Sequence, residues 1–135
     1  MKTKNILFGI IFSGSILLFI SLVGRQTNLG PHGGRVQEVD EFNIETKITN
    51  EFVYAYLLDR KSRPISNRGL KCEIRFVFLD KPYKDFVLLP YDEDGFKLRA
   101  NTTGYHLLHI HFQLFGKTIS TTFDNENENL IAHKK

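Results

Sequence analysis

After Gly24 the chain breaks into short runs of branched and aromatic residues that recur about every ten positions, and this spacing constrains the fold most. The runs are Arg35–Val39, Phe42–Ile48, Phe52–Leu58, Leu70–Leu79, Phe86–Leu89, Phe96–Arg99, Tyr105–Phe115 and Lys117–Phe123. Turn formers separate them at Asp59 to Pro64, Asp80-Lys-Pro82, Asp92-Glu-Asp-Gly95 and Phe115-Gly-Lys117. No stretch after Gly24 carries a helical period. The pattern predicts an all-β domain of about seven or eight antiparallel strands, as a sandwich or a barrel.

Alternation is clearest in the second run. Phe42, Ile44, Thr46 and Ile48 share one face, and Asn43, Glu45 and Lys47 share the other, so one side is expected in the core and one in water. At the C-terminal end, a two-residue turn at Gly116-Lys117 would suit a type II′ hairpin. That register places Ile110 opposite Phe123 on the inner face, and on the outer face His111 opposite Thr122 and His109 opposite Asp124.

Ahead of the β runs, Met1-Lys-Thr-Lys-Asn leads into an uncharged apolar stretch, Ile6 to Val23, that ends at Gly24-Arg25. As a helix it would reach about 27 Å, against roughly 30 Å of membrane hydrocarbon. Leu22-Val23-Gly24 supplies only one of the two small residues a cleavage site wants, and no cysteine follows for lipid attachment. A signal peptide or an uncleaved anchor is expected over residues 1–24, with the anchor favoured. Lys2 and Lys4 should stay in the cytoplasm, leaving the domain on the periplasmic or extracytoplasmic side. The expected organisation continues with a tether over 25–34, a β-sandwich over 35–124 and a polar tail over 125–135.

Without Lys2 and Lys4 the exported part carries 16 basic against 15 acidic residues, which is no nucleic-acid footprint. Arg60, Lys61, Arg63, Arg68 and Lys71 form a local excess that reads as a solvated loop. Cys72 is the one cysteine, so no internal disulfide is available in an oxidising compartment. Its alternation with Ile74, Phe76 and Phe78 reads as a small buried hydrophobe.

Histidine is the residue type with the most chemical promise. His106, His109 and His111 are three of five histidines, and they fall within six residues. On a strand, His109 and His111 share a face about 6–7 Å apart, within reach of one copper or zinc ion. Asp124 and Thr122 join them in the register above, and His32 on the tether is a possible further donor. His106 points to the opposite face. An exposed strand face also uses histidine simply as a polar residue with good β character, and that alternative stays open.

Three segments carry a resemblance: Pro31-His-Gly-Gly-Arg-Val36, then Tyr56-Leu-Leu-Asp59 with Pro64-Ile-Ser66, then Phe115-Gly-Lys-Thr-Ile-Ser120. Over roughly Pro31 to Phe123 the chain resembles small exported proteins associated with heavy-metal efflux. A similar His-Gly-Gly segment opens the periplasmic adaptor subunits of cobalt-zinc-cadmium and copper efflux pumps. The resemblance implies an immunoglobulin-like sandwich in a metal-efflux setting, with an efflux adaptor as possible partner and His32 as the matching motif position. Members often carry a histidine in the second strand, where this chain has Phe42-Asn-Ile-Glu45.

No nucleophile elbow, phosphate loop or His-Glu-x-x-His helix is present, so no enzyme is expected. Asp92-Glu-Asp94 before Gly95 lacks calcium-loop spacing and reads as a turn. Asn101-Thr-Thr103 fits a glycosylation acceptor, relevant only in a eukaryotic secretory pathway. The resulting expectation is a non-catalytic, membrane-tethered sandwich that binds or transfers copper or zinc. The rival is an interaction module that docks on an envelope partner through a sheet edge or exposed aromatics such as Tyr54, Tyr56 and Phe76.

Overall fold

The computed structural model describes residues 29–125. The expected membrane segment, the first part of the tether and the tail after Asn125 lie outside the described residues. The described part is all-β: β1 (Arg35–Val39), β2 (Phe42–Ile48), β3 (Phe52–Asp59), β4 (Leu70–Val77), β5 (Lys84–Val87), β6 (Leu89–Tyr91), β7 (Gly95–Arg99), β8 (Leu107–Leu114) and β9 (Lys117–Asp124). One antiparallel sheet runs β1-β2-β3-β7-β6 and the other β5-β4-β8-β9.

The expected run Phe86–Leu89 is in fact two strands belonging to different sheets, and this makes nine strands rather than seven or eight. The cause is Leu88. Its side chain is buried in the core and its amide donates to the Cys72 carbonyl at 2.9 Å, so the chain crosses between sheets at that residue. Pro90, with no N–H to donate, sits in the edge strand β6 that follows, where a ladder tolerates it.

The inner faces bury Ile44, Val53, Ala55 and Leu57 from one sheet against Ile74, Phe76, Ile110, Phe112 and Phe123 from the other. Phe96 and Phe112 meet edge to face at 5.8 Å across the layer. Cys72 is fully buried within this core, and burial, with the Glu73 charge, pushes its thiol well above the ordinary range. At one side of the sandwich, Thr121 hydrogen-bonds Gln37 and Arg35 reaches Asp124, tying β9 to β1. At the other side, β5 and β6 are both edge strands.

The β8–β9 hairpin turns one residue earlier than expected. Phe115 and Gly116 are the central pair, with φ of 49° and 82°, as a type I′ turn requires at both positions. Gly116 therefore works at the second central position rather than the first, and the partners shift by two residues. His109 faces Thr122, His111 faces Ser120, and Asp124 faces Leu107. Because side chains alternate with a period of two, the shift leaves the apolar face inward and changes only who sits opposite whom.

Candidate functional site

Among the described residues, His32 lies on the outer face of the first sheet and His109 and His111 on that of the second. On the first sheet, the face of β2 expected in water is closed at Asn43 and Glu45 and open at Lys47. Glu45 is fully buried because residues 30–34 fold back over it, and Asn43 is nearly so, its Nδ2 donating to the Asp59 carbonyl at 3.1 Å. The loop is closed by its own backbone, with Gly30 N donating to Gly34 O at 2.8 Å and Gly33 N to Gly30 O at 2.9 Å. A side chain at position 34 would collide with the Thr46 carbonyl, so glycine is what lets the loop lie this close to β2. The end of the expected tether is thus part of the domain.

Glu45 organises this loop. Its Oε2 accepts from the amides of His32 (2.9 Å) and Gly34 (2.8 Å), and its Oε1 lies 2.7 Å from His32 Nδ1. The other ring nitrogen, Nε2, is 2.9 Å from Asp94 Oδ2 in the β6–β7 turn. Below the imidazole, Tyr56 of β3 stacks in parallel at 3.6 Å between centroids and 5° between planes. Burial alone would lower the His32 pKa. The hydrogen bonds and charges of Glu45 and Asp94 together outweigh it, and the pKa is raised above 6.5. Burial, then the Asp94 and Glu45 charges, push the Tyr56 hydroxyl up to about 12. His32 therefore spends both ring nitrogens inside the fold.

On the outer face of the second sheet, His109 and His111 alternate with the buried Leu108, Ile110 and Phe112. His109 Nδ1 lies 2.5 Å from Thr122 Oγ1, and His111 Nδ1 lies 2.8 Å from Ser120 Oγ. Neither Nε2 has a hydrogen-bond partner among the described residues. Burial, followed by the charges of His111 and Arg75, holds the His109 pKa below 6.5. Arg75, opposite His109 on β4, is engaged by Asp85 through two hydrogen bonds of 2.7 and 2.9 Å and lies over the Tyr83 ring at 3.8 Å. Glu73 stands opposite His111 on β4.

Of the four residues expected around a metal, the structure brings together His109 and His111. Asp124 is displaced by the hairpin register and ion-pairs with Arg35 at 2.7 Å. His32 lies across the sandwich, with the whole core between it and the histidine pair. His106 is half-buried immediately before β8, its amide donating to the Val77 carbonyl at 2.7 Å. No group of three or more His, Cys, Asp or Glu side chains among the described residues is placed to hold a metal ion. Phe76 and Tyr56 are buried, so the aromatic docking patch of Tyr54, Tyr56 and Phe76 does not form. Nothing in the sequence marks Asp94 and Tyr56 as partners of His32: 62 residues separate His32 from Asp94, and Asp94-Gly95 looks like any other turn.

No protein-family model matches the chain, and neither a curated protein nor a solved structure matches it. The fold and the side chains alone carry the functional reading.

Proposed function

We propose that the chain is an immunoglobulin-like sandwich, tethered on the extracytoplasmic side by residues 6–23, that binds or hands on copper or zinc through His109 and His111. The strand order supports the fold assignment: β2-β3-β7-β6 against β5-β4-β8-β9 follows the A-B-E-D and C′-C-F-G arrangement of such sandwiches, with β1 added at one edge. The observation that carries the function is the paired state of the two rings. Each Nδ1 is fixed by a hydroxyl from β9 while neither Nε2 has a partner among the described residues, and a hydrogen bond on one nitrogen orients the other for a metal. Neutral imidazole is the ligand form, and the lowered pKa of His109 favours it. Two protein ligands leave coordination positions for a donor or acceptor protein, which suits transfer beside an efflux system better than storage. No catalytic role is assigned; the one thiol is in the core.

The test is titration of the full chain in detergent micelles with copper(II) and zinc(II). Binding tighter than about 100 µM is expected, equivalent to about 5.5 kcal/mol, weakening as pH falls because protonated imidazole cannot ligate a metal. Loss of binding in the His109→Ala, His111→Ala double variant supports the site. Absence of binding, or binding that survives the double variant, removes it.

A second reading is favoured by one observation. Tyr83, Val87 and Leu89 are exposed around the β5 and β6 edges, where unpaired backbone invites an added strand. An interaction module would dock there, and metal binding would then be absent while Val87→Lys abolished partner capture.

A further inference from the structure

The Gly30–Gly34 loop does no work in the metal reading, yet hydrogen bonds hold it to itself, to Glu45 and to Asp94. We propose that it is a protonation-dependent latch: the His32 imidazolium, clipped between Glu45 and Asp94, fixes the start of the domain to the first sheet, and loss of the ring proton loosens it.

Both ring nitrogens face carboxylate oxygens, at 2.7 and 2.9 Å. A carboxylate is an acceptor, so both contacts are hydrogen bonds only when both nitrogens carry protons. A neutral ring has one N–H and must turn a lone pair toward the other carboxylate. Three elements meet at this ring: Glu45 comes from β2, Tyr56 from β3 and Asp94 from the β6–β7 turn. The charges that act on His32 are those two carboxylates. Tyr56 stays neutral throughout the physiological range, with its hydroxyl held near 12.

The two bonds differ in how they can fail. Glu45 is fully buried and keeps the His32 and Gly34 amides whatever the ring does. Asp94 is partly exposed at 26 % and can turn to water. Deprotonation therefore releases the Asp94 side first, freeing the β6–β7 turn from the loop and leaving the ring held through Glu45. The direction follows from linkage: His32 is raised above its ordinary 6.5, so the latch is fully closed below pH 6.5 and opens as pH climbs through the raised value. A domain tethered outside the cytoplasm meets such changes in pH directly.

NMR of the full chain in detergent micelles tests this, following the His32 ring and the amides of Gly34 and Gly95 across pH. The expected result is a His32 midpoint above 6.5, with both amides shifting at that midpoint and the ring losing part of its Tyr56 ring-current shift. Asp94→Asn, a surface change that leaves the sheets intact, should move the His32 midpoint down and remove the Gly95 response. A wild-type His32 midpoint at or below 6.5, or amides indifferent to it, overturns the latch. So does an Asp94→Asn protein that keeps the wild-type midpoint.

Discussion

His32 and the His109–His111 pair are the same residue type put to opposite uses, and the difference lies in how many ring nitrogens the fold consumes. His32 has both nitrogens on carboxylates, one of them the fully buried Glu45, and a tyrosine against its face. The strand histidines each spend one nitrogen on a hydroxyl and keep the other clear of the remaining described residues. The first arrangement is built to hold protein to protein; the second leaves a ligand available. Their pKa directions agree with this division, His32 being raised by its carboxylates against burial and His109 lowered by burial and its cationic neighbours.

The largest effect expected from breaking this comparison is at Glu45. Glu45→Ala strips the acceptor from two amides and one ring nitrogen in a buried place, and should cost about 3–5 kcal/mol in a denaturant unfolding experiment. Next is Gly34→Ala, whose new methyl meets the Thr46 backbone rather than a yielding side chain; about 1–3 kcal/mol is expected by the same measurement. His109→Ala and His111→Ala should each change stability by only about 0.5 kcal/mol, because their side chains lie on the outer face. If the strand histidines cost as much as Glu45, they are structural and the contrast fails.

A subtler difference sharpens it. Stability contributed by His32 is present below pH 6.5 and lost as pH rises through its raised folded pKa. His109 works in reverse: its lowered folded pKa gives a contribution present above pH 6.5 and lost as pH falls through that pKa. Comparing His32→Gln with His109→Gln across pH should show the two variants losing stability relative to wild type on opposite sides of 6.5.

Much of the fold was legible because alternation with turn punctuation is a local signal. Strand identity, the buried Cys72 and the inward set of Ile110, Phe112 and Phe123 all follow from it. The crossover at Leu88 was not legible, since one continuous apolar run gives no sign that its two halves join different sheets. The hairpin register was missed because Gly116 suits both a II′ turn as first central residue and an I′ turn as second, and the positive φ of Phe115 is what decides between them. For the sites, a pair two apart on one strand was readable from sequence. The closure of the His-Gly-Gly loop onto Glu45 was not, because it depends on a backbone approach across β2 and on Asp94, which lies far along the chain.

The most direct test of the central claim is to follow the histidine ring nitrogens by NMR while zinc(II) is added to the full chain in detergent micelles. Nε2 of His109 and of His111 are expected to move together, while both nitrogens of His32 stay where they are. Movement of His32 in place of the strand pair, or no movement of any histidine at zinc concentrations up to about 100 µM, would contradict it.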